Sequence, residues 1–406
     1  MLKKFNLAPF AEAGYLNTFT ASQTFKYSQA GCILENIHIH LLKNTKMKHL
    51  MILLLSVTCY SATLAQEKTF VVFGKVVDAE TKQPMVGASA YCQSTTQGTI
   101  TNNEGLFFMR LPNGGYDMVV TYTGYEKKIM RISASQPATD TLKIELAKEN
   151  KSLSEVAVVA STEDPDGLNK YGKFFNQNFI GNSGNSNQCA IENPQALHFY
   201  FSKKRNRLKI MAKEDVIVVN YALGYKIRYQ LDSFSYDYNT NISSYSGSPL
   251  FQEMDSTEEV KAQWKKNRAH TYLGSRMHFM RSFYDSSLKQ DGFILEKLND
   301  DPESVKGAFI TNPYNEQDYL VDSGDVEVSW NGRYRISYDK VYPDKQFLEE
   351  YKLPATTRFQ ITVLDVSNGF VIEKNGYFYE QNDVINSGYW AWKKLSELLP
   401  YDYIYQ

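Results

Sequence analysis

From residue 70 onward the chain divides into short runs of β-branched and aromatic residues, separated by clusters of Gly, Asn, Asp and Pro. That punctuation favours antiparallel β-structure, because turn residues at close spacing leave no room for helices between strands. Runs at 70–77, 85–93, 105–111, 116–122 and 142–146 recur at intervals of about 10 residues, the spacing of a small sandwich. Asn102-Asn103-Glu104-Gly105 and Pro112-Asn113-Gly114-Gly115 read as turns, with Gly105 and Gly124 at positions where a Cβ would be costly and with Val86 and Ala88 alternating into the core. A stretch of about 80 residues is enough for one such core.

The second half continues in the same manner. Strands are predicted at 197–202, 207–212, 216–220, 225–231 and 234–238, with Lys203-Lys204-Arg205-Asn206 as a solvated turn. Further strands at 326–330 and 333–338 flank Asn331-Gly332, the strongest two-residue hairpin signal. Asn368-Gly369 and Lys374-Asn375-Gly376 mark further hairpins among 359–366, 370–373 and 377–380. A helical pattern runs from 257 to 288 with a break at Gly274. Met277, Met280, Tyr284 and Leu288, widened by Phe279 and Phe283, form its apolar stripe, and His278, Arg281 and Asp285 project from the other face. A last short helix is expected at 389–399, stopped by Pro400, and a flexible loop at 181–187. The fold class is therefore mainly β: an antiparallel sandwich at 66–148, a linker at 149–170, and a larger β-rich α+β domain at 171–406 with a helical insert and a short C-terminal helix.

Ahead of these domains, Met47-Lys48-His49, an apolar run from Leu50 to Thr58 and a small-residue end at Thr63-Leu64-Ala65 have the order of a secretory signal peptide. The apolar run is too short to span a bilayer comfortably. Residues 1–46 then read as a non-native extension, with Met47 as the expected start; Cys59 is a lipidation candidate, although Thr58 precedes it. Six of the 44 basic and two of the 45 acidic residues precede Gln66, so a chain beginning there carries a net charge of −5. That balance gives no electrostatic reason to expect a nucleic-acid partner. Cys92 and Cys189 remain, as one disulfide or as two free thiols.

Four motifs now carry a resemblance. Gly74-Lys75-Val76-Val77-Asp78, Pro84-Met85-Val86-Gly87-Ala88, Thr101-Asn102-Asn103-Glu104-Gly105-Leu106-Phe107 and Tyr122-Thr123-Gly124-Tyr125 occur in the order seen in carboxypeptidase-regulatory-like domains. The resemblance implies a transthyretin-like β-sandwich of the kind found in exported proteins of Bacteroidetes-type bacteria, often at the start of TonB-dependent outer-membrane transporters. The run Leu153-Ser154-Glu155-Val156-Ala157-Val158-Val159 is similar to the segment that follows the sandwich there, but the remaining chain is too short for a plug and 22-stranded barrel. Leu223-Gly224-Tyr225-Lys226-Ile227, Arg268, Tyr272, Gly274-Ser275, His278-Phe279, Arg281, Gly292-Phe293 and Leu399-Pro400-Tyr401-Asp402-Tyr403 resemble the companion region of such exported proteins, which implies architecture and no mechanism.

Peptidase chemistry does not follow from the family's name. A catalytic zinc needs three protein ligands, yet of the histidines after residue 65 (His198, His270, His278) none begins His-x-x-Glu or His-Glu-x-x-His, and no Gly-x-Ser-x-Gly elbow occurs. Neither a metal nor another cofactor is expected. The densest polar group is Arg268, Tyr272, Ser275, His278 and Arg281, with two guanidinium forks for an anion or glycan and His278 as proton donor, or else a helix tied into its neighbours. Tyr221, Tyr225, Tyr229, Tyr236, Tyr238 and Tyr245 offer rings for sugar stacking, or strand packing. The sequence therefore reads as a non-enzymatic protein of the periplasm or outer membrane that binds an envelope protein or glycan, with a hydrolase or carbohydrate-binding protein as the alternative.

Overall fold

Alternation of apolar and polar residues builds the first seven strands: β1 (Thr69–Asp78), β2 (Ser89–Cys92), β3 (Gly98–Ile100), β4 (Leu106–Pro112), β5 (Gly115–Thr121), β6 (Lys128–Ser133) and β7 (Leu142–Leu146). They form two sheets, β4-β1-β7 and β3-β2-β5-β6, in which β1 and β7 run parallel and every other pair is antiparallel. Val72, Val76, Met109, Leu111, Met118, Val120 and Ile144 close the core between them. The structure is a computed structural model and describes residues 68–135, 141–149, 163–299, 301 and 306–405. The signal-peptide reading, Met47, Cys59 and the run 153–159 all lie outside the described residues.

The recurring motifs are tied to one another by hydrogen bonds. Asp78 accepts from the main-chain N–H groups of Glu80 and Thr81 and from the Tyr125 hydroxyl at 2.6 Å, and these bonds hold its carboxyl well below the usual carboxylate range. The Thr101 hydroxyl donates to the Met85 carbonyl and accepts from the Ala88 N–H. Gly105 takes φ +71°, and a Cβ there would lie 2.5 Å from the Val76 carbonyl oxygen. Val86 is a correction: β2 starts only at Ser89, so residues 85–88 do not alternate, and Val86 is exposed whereas Ala88 is buried.

Helix α1 (Gly167–Phe179) begins inside the stretch expected to be a linker. Its sequence is a weak helix former, with three Asn and two Gly; what supports it is burial of Phe175 and Phe179, with Tyr171 and Phe174 beside them, on the next sheet. That sheet comprises β8 (Cys189–Ile191), β9 (Leu197–Ser202), β10 (Arg207–Ala212), β11 (Val216–Asn220), β12 (Tyr225–Asp237) and β13 (Ile242–Glu253). The runs 225–231 and 234–238, expected as two strands, are one 13-residue strand with a register shift at Leu231/Ser233, which lets β12 pair with β11 and then β10. The predicted loop at 181–187 passes into a short 3-10 turn at Asn185–Gln188, and Ser183 is buried.

The helical insert is α2 (Glu258–Tyr272), α3 (Arg276–Tyr284) and α4 (Leu288–Asp291), broken at Gly274 as its sequence suggests. Beyond it, β14 (Phe293–Leu298), β15 (Gly307–Phe309), β16 (Tyr319–Asp322), β17 (Asp325–Val328), β18 (Gly332–Tyr338), α5 (Lys345–Glu350), β19 (Gln360–Val366), β20 (Phe370–Ile372) and β21 (Val384–Gly388) make two sheets, β15-β14-β18-β19-β21 and β16-β17-β20. Two expected hairpins are therefore not hairpins. Asn331-Gly332 and Asn368-Gly369 carry the chain from one sheet to the other, because β17 pairs with β16 and β20 while β18 pairs with β14 and β19. Asn375-Gly376 does close a tight reversal, with Ile372 bridging Phe378. The expected C-terminal helix is reduced to α6 (Tyr389–Trp392) and a 3-10 turn at Leu395–Glu397, since Tyr389, Trp390 and Trp392 are drawn into one core and Leu395 into another.

Candidate functional site

The polar cluster sits where α2 meets α3. Arg268 donates from Nε and Nη2 to the carbonyls of Leu223 and Gly224 at 2.7 and 3.2 Å, pairs with Glu253 at 2.6 Å, and lies 3.9 Å above the Tyr225 ring. It thus fastens α2 to the β11–β12 turn. Ser275 is the N-cap of α3 and accepts from the His278 N–H at 3.1 Å. Tyr272, His278 and Arg281 come together on the far side of Gly274: Tyr272 packs on His278 with ring centroids 4.7 Å apart, and Arg281 stands 5.6 Å from the Tyr272 ring.

His278 is buried, contrary to the expected polar face, because α3 is covered on more than one side. Its ring lies against Tyr272, Phe293 and Tyr338. Its Nδ1 accepts from the Gly274 N–H at 3.1 Å, and burial pushes its pKa down to about 4. The neutral ring therefore carries its proton on Nε2. A cleft of about 380 Å³ opens beside this group, lined by Arg281, Asp285, Asp291, Lys340 and Tyr405 among others.

Arg281 explains why these residues meet. Its Nε donates to the Asn375 carbonyl at 2.9 Å, Nη1 to Tyr403 at 2.8 Å and Nη2 to Tyr401 at 2.9 Å. Both segments so held reach the sandwich. Asn375 pairs with the main chain of Gly115, accepting from its N–H at 3.3 Å and donating to its carbonyl at 3.0 Å. The Tyr401 N–H donates to the Ser94 carbonyl at 2.7 Å, and the Asp402 carboxylate accepts from the Thr96 N–H at 3.0 Å, the Thr96 hydroxyl and the Gln97 amide. Strand β13 adds Ser94 N–H to the Pro249 carbonyl and Phe251 N–H to the Thr95 carbonyl. The sandwich and the larger domain are thus joined into one unit from Lys68 onward.

A second polar group lies on the same seam. A cavity of about 370 Å³ is lined by Arg131, Ser133, Ser135, Asp325, Tyr379 and Glu380 with their neighbours. Glu373, 2% exposed, accepts from the Tyr379 hydroxyl at 2.6 Å, and burial, with the Asp325 carboxylate adding to it, raises its pKa to about 7. Arg131 stacks 3.6 Å over Tyr379. A Cβ on Gly115 would lie 2.5 Å from Glu373 Cγ and 2.7 Å from the Tyr379 hydroxyl. Gly115→Val is therefore expected to lower stability by about 2 kcal/mol, read as a fall in urea midpoint at unchanged slope. A neutral result would mean the turn is not pressed into the seam.

Residues 72–158 match the family model of the CarboxypepD_reg-like domain, a stretch that begins within β1 and runs past β7. The chain carries a carboxypeptidase-regulatory-like domain. No curated protein matches the chain. The motifs of this regulatory-like sandwich are the residues whose mutual hydrogen bonds were described above, so they shape its loops and close its core.

Cys92 and Cys189 are both free, and burial raises each thiol, to about 12 for Cys189. The tyrosines proposed for sugar stacking are mostly packing groups: Tyr225 and Tyr229 are buried, Tyr229 and Tyr245 meet Phe179 edge-on, and Tyr236 and Tyr238 contact Phe174. Only Tyr221 of that set is largely exposed. Among the described residues no group of three or more His, Cys, Asp or Glu side chains is arranged to hold a metal ion, and no helix is long and apolar enough to cross a membrane. Sequence reasoning missed Asn375, Asp402 and Glu373. Asn375 stands in the hairpin signal Lys374-Asn375-Gly376 and Asp402 in the motif Leu399-Pro400-Tyr401-Asp402-Tyr403, whereas nothing local marks Glu373 as buried.

Proposed function

We propose that this is an exported, non-enzymatic binding or assembly protein of the cell envelope, in which the regulatory-like sandwich is a rigid docking module. The observation that carries this reading is the use made of Arg281. The side chain best suited to hold an anionic ligand donates to three main-chain carbonyls, and so fixes two of the segments that grip the sandwich. Arg268 is likewise occupied by Leu223, Gly224 and Glu253. A module held this firmly presents its outward sheet to a partner without the entropy cost of ordering a mobile domain. The signal-peptide pattern at 47–65 supports an envelope address.

The test is fractionation of the tagged full chain together with assays on the purified protein. The chain is expected in the envelope fraction with its N-terminus at Gln66, and without turnover on peptide and glycan panels. Recovery from the cytosol with the leader attached would overturn the address. Turnover that disappears in His278→Asn, at an unchanged thermal midpoint, would overturn the non-enzymatic role.

A further inference from the structure

We propose that the outward face of sheet β4-β1-β7 docks the protein on an anionic lipid surface, with Phe73 and Phe108 entering the headgroup layer and Lys75, Arg110 and Lys143 meeting lipid phosphates. The proposal rests on the docking role above and names the partner of that sheet.

Strand register assembles the face. Phe73 lies directly opposite Phe108, their ring centroids 5.1 Å apart, and the side chains are 54% and 47% exposed. Two residues along, on the same side, Lys75 stands opposite Leu106 on β4 and opposite Lys143 on β7; two residues the other way, Val71 stands opposite Arg110. Leu106 is also exposed. Lys75, Arg110 and Lys143 are exposed and have no ion-pair partner among the described residues, while the one acidic residue on this face of β7, Glu145, is held by Lys82 at 2.8 Å. The face is thus a pair of touching aromatic rings with unpaired cations at either end, on a chain whose net charge is −1.

Charge decides between occupants. A second copy of the chain would bring three more cations against these three, so self-pairing through this face is opposed. An anionic partner is favoured, and a bilayer suits the arrangement better than a folded protein. Exposed aromatics flanked by Lys and Arg gain from both the apolar boundary and the surface potential of acidic lipids. The two clefts described above are lined by residues of the seam and of the larger domain, not by Phe73, Phe108, Lys75, Arg110 or Lys143. Three exposed apolar residues elsewhere have acidic company: Leu320 and Val321 adjoin Asp322, and Ile385 stands opposite Asp365.

Co-sedimentation of the full chain with phosphatidylcholine vesicles, with and without phosphatidylglycerol, tests this. Binding is expected only with the acidic lipid and should weaken as salt is raised. It should fall about tenfold in Phe73→Ser/Phe108→Ser, and as much in Lys75→Glu/Arg110→Glu/Lys143→Glu, but not in Phe309→Ser, an exposed apolar residue on another sheet. Should the aromatic variant misfold, the charge reversals at exposed positions carry the comparison alone. Binding that is unchanged in both face variants would belong to the apolar leader and would overturn the proposal, as would indifference to acidic vesicles or a preference for polyglutamate. An envelope-fractionating chain that ignores vesicles would remove the lipid partner and leave the docking role standing; a cytosolic chain would remove that role whatever the vesicles show.

Discussion

Arg281→Met should lower the free energy of unfolding by about 3 kcal/mol, the largest loss expected from any single polar substitution in the seam. Methionine keeps most of the stem's packing and removes only the fork, leaving the carbonyls of Asn375, Tyr401 and Tyr403 without their donor. Arg281→Lys should recover little, because a single ammonium cannot reach three carbonyls that a planar guanidinium spans. Urea unfolding followed by tryptophan emission measures the loss, and limited proteolysis should show residues 94–97 cut sooner. Loss of less than about 1 kcal/mol, with proteolysis unchanged, would mean that the segments at Asn375 and at Tyr401 and Asp402 hold without Arg281.

Glu373→Gln should make the protein more stable than the wild type above pH 7, by about 2 kcal/mol. The sign follows from the raised pKa. Between the ordinary glutamate value of 4.5 and about 7, the folded protein holds a proton that the unfolded chain has released, so stability falls as pH rises through that window and is level above it. Glutamine keeps an oxygen for the Tyr379 hydroxyl and cannot ionise beside Asp325. His278 acts oppositely in an overlapping range: its lowered pKa means stability is lost as pH falls from 6.5 towards 4. The glutamate contribution is therefore read as the difference between variant and wild type across a pH series of thermal or urea midpoints. A constant difference from pH 5 to pH 8 would show that Glu373 is ionised throughout.

The sandwich was legible because its determinants are local. Alternation fixes which side of β1 and β4 is buried, and the Gly and Asn turns lie within a few residues of the strands they end. What failed was information carried by distant residues. Asn331-Gly332 and Asn368-Gly369 do reverse the chain, but turn chemistry does not say whether the next strand returns to the same sheet, and here stacking of two sheets around one core sends it to the other. His278 looked exposed because helical period assumes one buried face, whereas α3 packs through Phe279, Met280 and Phe283 into one core and lies beside Tyr272 of another. Of the candidate cluster, Tyr272, His278 and Arg281 meet, while Arg268 is tied to the β11–β12 turn. The role of the cluster was hidden, since the acceptors of Arg281 lie about a hundred residues away or more.

The grip of Asp402 on Thr96 and Gln97 spans 306 and 305 positions, most of the length of the described residues. Strands β1 to β7 emerge from the ribosome long before their partner in that bond is made. Docking through Asp402 therefore follows synthesis of the sandwich, which has its own core to close in the meantime.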